Sequence, residues 1–549
     1  MTLNFAVFRK LGVKGPRPLP VLGNLHTFGK MGMIDAENLW RKKFGKVFGI
    51  FEGREPLLYI CDLDMLKSVL VQDFNCFTDR REMDIAAAPM DQSVFMAKGE
   101  YWRHIRSHMT SSFSSAKLRG MADPIDKACR KLVNYLCTKA ETREPVEMKD
   151  VFGAYTMNVI CSTAFGLEID SHEDPDNPFV RHAKDVVSIP LAHPAILAYL
   201  FLLFSVGVFR WLDYLPLSSK HMAFFSEITS DLIHERRKPG LTDDEIIASA
   251  VMFFLAGYED AAAHLAFTTY AMATQPDIQR KLQVEIDNMP TWDRLDMDRV
   301  QCLPYLDMCM SESLRMYPTT TSVGVGDLRS ASASVLRSVG RLRSVDVGDL
   351  PGVPVSVDCE VSVSVTYGVP MSVSYGVPVS VDCEVSVSVT YGVPVPVSYG
   401  VSVDCEVSMS VSYGVPVSVD CEVSVVDRVC TRDCDVGGIR IPRGLVISVP
   451  IYTVHHDPDI WDRPEEFTPE RFSPGQTVYH QPQQFLPFGQ GPRNCVGQRM
   501  GFLEAKMALI HVLKKFQFQT CGKTQIPLKF QNLPMLRAEN GIWLQISRR

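Results

Sequence analysis

From Ile34 to about Glu235 the apolar positions recur at helical spacing, interrupted by two short strand-like runs, VFGIFEG and PLLYICD. That pattern predicts many helices around a small sheet near the N-terminus. Ahead of it, Lys14–Leu25 (KGPRPLPVLGNL) holds too much proline for a helix and reads as a rigid entry arm. The strongest helix signal begins at Thr242. Thr242-Asp243-Asp244-Glu245 is a capping box with acids in the first turn, and the apolar run from Ile246 lasts to about Thr274, just before Pro276. Such a helix is roughly 48 Å long at ~1.5 Å per residue, enough to cross a domain. Gly257, near its middle, costs about 1 kcal/mol relative to Ala and marks a distortion or the close approach of another body. A second helix, Leu303–Met316, stops before Pro318.

Beyond Pro318 the pattern changes. From about Thr319 to Val426 the text is a repeat of the kind VPVSVDCEVSVSVTYGVP. Val/Ser alternation fits strands and Tyr-Gly-Val-Pro fits turns, yet the block has almost no large apolar side chains to build a core. Residues 319–426 are therefore expected to be an insert, disordered or artefactual; a β-repeat module that binds a ligand is the alternative. Ordinary text resumes at Asp427. Gly437–Pro450 reads as a hairpin, His455-His456-Asp457-Pro458 as the opening of a helical turn, and Pro464–Phe472 as an irregular stretch. A Gly-rich loop, Phe485–Gly497, precedes an amphipathic helix, Arg499–Phe516. The expected fold class is mainly α with small β-sheets, interrupted between 318 and 427.

Composition adds exclusions. Hydrophobic residues are 46% and charged residues 22% of the 549, as in ordinary globular proteins, which removes collagen-like, coiled-coil and wholly disordered classes. Lys+Arg is 56 against 63 Asp+Glu, a net charge of −7, so there is no global footprint for nucleic acid. The 15 cysteines include no CxxC pair, which argues for reduced thiols facing the cytosol rather than a disulfide framework. The opening MTLNFAVFRKLG is too short and charged for a signal or a membrane anchor. The longest apolar stretch, Ala195–Phe209, falls short of the ~20 residues that span a bilayer and reads as a buried helix or an interfacial segment.

The chemistry concentrates in Phe488-Gly489-Gln490-Gly491-Pro492-Arg493-Asn494-Cys495-Val496-Gly497. Two glycines and a proline force a tight loop, and Gly497 lets a flat partner come close. Cys495 then lies just ahead of a helix, where backbone N–H groups and the dipole stabilise a thiolate. A thiolate in a dry loop beside an arginine suits a haem iron as axial ligand.

These residues resemble the cytochrome P450 family, and other motifs agree in order. The resemblance implies haem b (iron-protoporphyrin IX) with Cys495 as thiolate ligand to the metal, and Phe488, Arg493 and Gly497 around it. Glu312-x-x-Arg315 resembles the family's helix pair, which locks to the arginine of a PERF stretch, here Arg471. Trp102 and Arg106, in Trp102-Arg103-His104-Ile105-Arg106, resemble its WxxxR, whose members reach a haem propionate, and Arg428 stands where relatives place another propionate-binding arginine. Ala256-Gly257-Tyr258-Glu259-Asp260-Ala261 matches the family's AGxE and then departs: Asp260 stands where a threonine helps deliver protons to dioxygen. Glu259 and Asp260 are thus expected on the distal face of the iron. A hydroxyl donates and accepts, whereas an ionised carboxylate only accepts.

Within the family, LPYLDM with SLRMYP, the run GFLEAKMALIHVLKKFQFQTCGKTQIPL and the C-terminal NGIWLQISRR look like thromboxane-A synthase and the related drug-metabolising clan. That likeness implies isomerisation of a prostaglandin endoperoxide by O–O cleavage, with no dioxygen or electron donor. The first alternative is an NADPH- and reductase-dependent monooxygenase of lipophilic substrates; the second is an inactive product disrupted by the insert. Residues 1–318 and 427–549 become two parts of one domain. The expected partners are a lipophilic small molecule, a membrane surface on the cytosolic side of the endoplasmic reticulum, a P450 reductase for the monooxygenase alone, and no nucleic acid.

Overall fold

The structure is a computed structural model and describes residues 5–20, 22–81, 90–174, 241–290, 294–320, 427–475, 481–531 and 535–549, with a few positions between 177 and 229 and at 418–419. Ala195–Phe209 and all but the edges of the repeat block lie outside the described residues.

The fold is mainly helical with small sheets. Its longer helices are α1 (Met33–Phe44), α2 (Gly99–Ser112), α3 (Ser115–Thr142), α4 (Met148–Ile160), α5 (Asp243–Thr274), α6 (Pro276–Asp287), α7 (Pro304–Met316) and α8 (Gln498–Lys515). The strands are β1 (Val47–Glu52), β2 (Glu55–Ile60), β3 (Val146–Glu147), β4 (Arg428–Val429), β5 (Cys434–Val436), β6 (Ile439–Ile441), β7 (Val446–Ser448), β8 (Phe516–Thr520) and β9 (Trp543–Arg548).

Helix α5 has the predicted length, 32 residues, and starts at the Thr242 capping box: Glu245 N–H donates to Thr242 Oγ1, and Thr242 N–H to the Glu245 carboxylate. It is long and apolar enough to cross a membrane, but Ala262–Ala273 lies in the main core beside α3, α4 and α8. Gly257 marks a close approach: a Cβ there would stand 3.0 Å from Ile160 Cδ1 of α4. Thr156 of α4 also donates to the Tyr258 carbonyl at 3.0 Å, so the two helices are joined by a hydrogen bond at this crossing.

One sheet has the order β1-β2-β7-β4, with β2 and β7 parallel and the other pairs antiparallel. It carries a second core, around Phe48, Leu57, Tyr59 and Ile447. Its edge strand β4 sets Arg428 opposite Ile447, so the segment following the repeat is bound into the N-terminal sheet. The other sheet is β8-β9-β3, which fastens the C-terminus to the start of α4.

One local expectation needs correction. The hairpin is β5–β6, with Gly437 and Gly438 at φ +55° and +78° as its turn, and not a pairing within Gly437–Pro450. Two left-handed glycines fit a tight hairpin turn, while β7 is drawn away to pair with β2. The His455-His456-Asp457-Pro458 run closes the helical turn Ile451–His455 and, as expected, opens another: the Ile460 and Trp461 N–H groups both donate to the Asp457 carbonyl at 2.9 Å.

Candidate functional site

The loop before α8 is held in a single shape. Gly489 and Gly491 have φ of +66° and +75°, a region that favours glycine. A Cβ at Gly491 would stand 1.8 Å from the Leu70 carbonyl oxygen, so any side chain there would displace backbone. The Cys495 N–H donates to the Phe488 carbonyl at 2.9 Å and closes the loop, while the Phe488 ring leans on Phe502 of α8 at 5.3 Å. Gly497 is the N-cap of α8, where an added Cβ would meet only the Phe113 ring at 3.9 Å. Arg106 donates to the Asn494 carbonyl at 2.7 Å and to Asn494 Oδ1 at 2.9 Å, which pins the loop from α2.

Burial pushes the Cys495 thiol up, and the Asp260 carboxylate adds to the rise; the Gly497 N–H and the charges of Arg106 and Arg80 oppose it. The Gly497 N–H at the helix start does lower the thiol, as expected, but loss of solvent outweighs it. A bound cation would deprotonate a coordinating thiol outright.

Beside the loop lies a nest of arginines: Arg428 and Arg493 are fully buried, with Arg80 and Arg106 near them. Arg493 stacks on the Trp102 ring at 4.5 Å and donates to the Ala97 carbonyl at 2.6 Å, but its Nε and Nη1 are buried without a partner. Arg80 Nη2 donates to the Arg493 carbonyl at 3.3 Å, its Nε is likewise unpartnered, and its guanidinium covers the Phe95 ring at 4.3 Å. Burial, then repulsion by Arg428, brings Arg493 down to about 9; burial brings Arg428 down to about 10, and burial with three neighbouring arginines takes Arg80 well below its ordinary value. Buried cations that repel one another, with N–H groups unsatisfied, call for anions between them. The two propionates of haem b fit that requirement as charge-assisted acceptors. Arg80 was missed in the sequence. Its only signal was a charge pair, Arg80-Arg81, of which Arg81 turns away to Glu52 at 2.9 Å.

Glu259 and Asp260 of α5 are adjacent but have different fates. Glu259 is buried and pairs with Lys149 of α4 and, at 2.9 Å, with Arg537. Asp260 has no such cation partner; its Oδ1 is buried and unpartnered. Burial raises its carboxyl to about 6, Glu259 adds to the rise, and a hydrogen bond from Thr319 opposes it. The Asp260 carboxylate stands near enough to act electrostatically on the Cys495 thiol.

The three charges of the expected lock are together. Arg315 grips Glu312 through Nε at 2.7 Å and Nη2 at 2.9 Å, and Arg471 Nε reaches the same carboxylate at 3.2 Å. The spare N–H groups go to the carbonyls of His455 and Pro464, at 2.8 and 2.7 Å, and of Arg463, at 2.7 Å. No described polar atom of the trio is left unpartnered, which is the condition for burying three charges.

The family model described as Cytochrome P450 matches residues 13–238, 216–324 and 422–545. Among curated proteins, the chain is 32% identical to Cytochrome P450 3A2 of Rattus norvegicus across 99% of this chain and 93% of that protein. It is 30% identical to Cytochrome P450 3A41 of Mus musculus and to Cytochrome P450 3A29 of Sus scrofa, with the same two shares covered.

Proposed function

The chain belongs to the cytochrome P450 family, a haem-thiolate enzyme by that membership, and from this premise we propose that it is a reductase-dependent monooxygenase of lipophilic substrates such as steroids, fatty acids or xenobiotics. We place it at the cytosolic face of the endoplasmic reticulum membrane. The observation that carries this reading is the near full-length likeness to P450 3A enzymes. Bound haem supplies an iron that can activate or cleave an O–O bond. The residues have separate tasks: Cys495 would offer its sulfur to the iron, Arg80, Arg428 and Arg493 would hold the propionates, and Arg106 fixes Asn494 beside Cys495. The trio of Glu312, Arg315 and Arg471 keeps α7 and the stretch from Arg463 to Arg471 in register. Asp260, whose carboxyl burial raises to about 6, could take up and return a proton beside the bound group.

Position 260 favours a second reading. An acid there replaces the hydroxyl that dioxygen chemistry uses, and the segments around Leu303–Pro318 and Gly501–Leu528 resemble thromboxane-A synthase. Isomerisation of a prostaglandin endoperoxide needs no electron donor, so the missing hydroxyl would cost nothing. Turnover with and without NADPH and reductase separates the two. Product only with both supports the monooxygenase; endoperoxide conversion with neither supports the isomerase. A reduced, carbon-monoxide difference spectrum without a red-shifted Soret band would leave the third reading, an inactive product disrupted by residues 319–426.

A further inference from the structure

Helix α2 carries two histidines one turn apart, His104 and His108, in the run HIRSH. Residues four apart share one face of a helix. Here the two imidazoles have ring centroids 4.6 Å apart and planes inclined at 57°. Their face is turned to solvent: His104 is exposed and His108 half-buried, while Trp102, Ile105 and Met109 form the buried face of the same helix. Arg106, which pins Asn494, is two residues from each histidine and so about 200° around the helix from both. The pair therefore stands apart from the haem-binding loop.

The ring of His108 has its direction set by the backbone. Its Nδ1 lies 2.9 Å from the His104 carbonyl oxygen. A carbonyl only accepts, so Nδ1 carries the proton, and Nε2 of the neutral ring keeps its lone pair. The same carbonyl accepts from Ser107 Oγ at 2.8 Å. Metal-ligating histidines are held in this way: one ring N–H donates to a backbone carbonyl, which fixes the tautomer and aims the other nitrogen.

We propose that His104 and His108 form a binding site for a divalent transition metal, zinc by its ligand chemistry, on the outer face of α2. Two imidazoles on one tetrahedral zinc, each at ~2.0–2.1 Å, have ring centres about 5 Å apart. The spacing in α2 is close to that, so the ion is taken up with little rearrangement. The same i, i+4 spacing supplies two zinc ligands in H-E-x-x-H helices. Among the described residues, no group of three or more His, Cys, Asp and Glu side chains could hold a metal. Water therefore completes the coordination, which makes this an open, exchangeable site rather than a closed structural one.

The test titrates the reduced, haem-loaded full chain with Zn2+ alone at about pH 7.5, where an ordinary imidazole is mostly neutral. The 15 cysteines of the chain can also take up zinc, so the site is read from the difference between the parent and the variants H104A and H108A. Each substitution should weaken one zinc-binding event by more than the roughly 10–100-fold that loss of an outer supporting partner costs. The haem spectrum should not change, since neither side chain belongs to the buried face of α2. A second readout needs no variant: Zn2+ should protect His104 and His108 together from diethylpyrocarbonate, read by peptide mass. Three outcomes overturn the proposal: equal zinc binding in the parent and both variants, weakening in only one variant, or protection of one histidine or of neither.

Discussion

At the scale of single residues, the site depends on cations placed where water cannot reach them. Arg493 is buried with two N–H groups unpartnered and is pressed down by burial and then by its arginine neighbours, so its charge has a use only beside an anion. Arg493→Ala should loosen haem without unfolding the chain. A hydrogen bond to a charged group contributes ~1.5–3 kcal/mol, which converts to about 10- to 100-fold faster haem transfer to an acceptor globin. Arg80→Ala should do the same to a smaller degree, because it keeps a bond to the Arg493 carbonyl in place of full commitment to the ligand. Unchanged haem retention in both variants would remove the arginine nest from the cofactor's hold.

Elements show how local chemistry and packing share the stability. The trio centred on Glu312 joins α7 to the loop after β7. Removing the acid leaves two buried guanidiniums facing one another, and breaking a buried pair this way costs ~3–5 kcal/mol. Glu312→Ala is therefore expected to express poorly and to lower the denaturant midpoint sharply. Glu504 in α8 gives the opposite case, a buried acid that burial raises to about 8. Its folded value lies above the unfolded one, so its favourable contribution is full at low pH and is lost as pH rises toward about 8. Glu504→Gln, which cannot ionise, should become the more stable of the two at about pH 8 and differ little at about pH 5, read by denaturant midpoints at each pH. Equal pH slopes for the two proteins would refute the assignment.

For the whole molecule, the question is how a chain interrupted by some hundred residues holds one site together. The family match stops at 324 and resumes at 422, and both flanks are fixed independently of what lies between. Leu536 N–H donates to the Thr319 carbonyl at 3.0 Å before the interruption, and β4 pairs with β7 after it. Loop closure grows slowly with length, each doubling costing only ~0.6 kcal/mol, so the block need not oppose folding. Joining Thr320 to Asp427 through a short Gly/Ser linker should therefore leave the carbon-monoxide difference spectrum as in the full chain. Loss of the thiolate band on excision would show that residues 321–426 belong to the working fold.

Much of this protein was legible along the chain because it depends on local rules. The capping box at Thr242 and the prolines after α5 and α7 set those helices without help from elsewhere. The glycines of Phe488–Gly497 forced the loop that presents Cys495, since left-handed φ values leave few other residue types. Other features arose only when distant segments met. Whether β7 pairs with β6 or β2 is a competition between strands nearly four hundred residues apart, which no local pattern records. Arg80 joins the nest only because the sheet and α2 bring it beside Arg493. Glu259 and Asp260 are neighbours with similar side chains, yet Lys149 and Arg537 form ion pairs with the first alone, and burial raises the second. Charge and hydrogen bonding act through space, so the tertiary fold decides which of two adjacent acids is held in a buried ion pair and which has its carboxyl raised by burial.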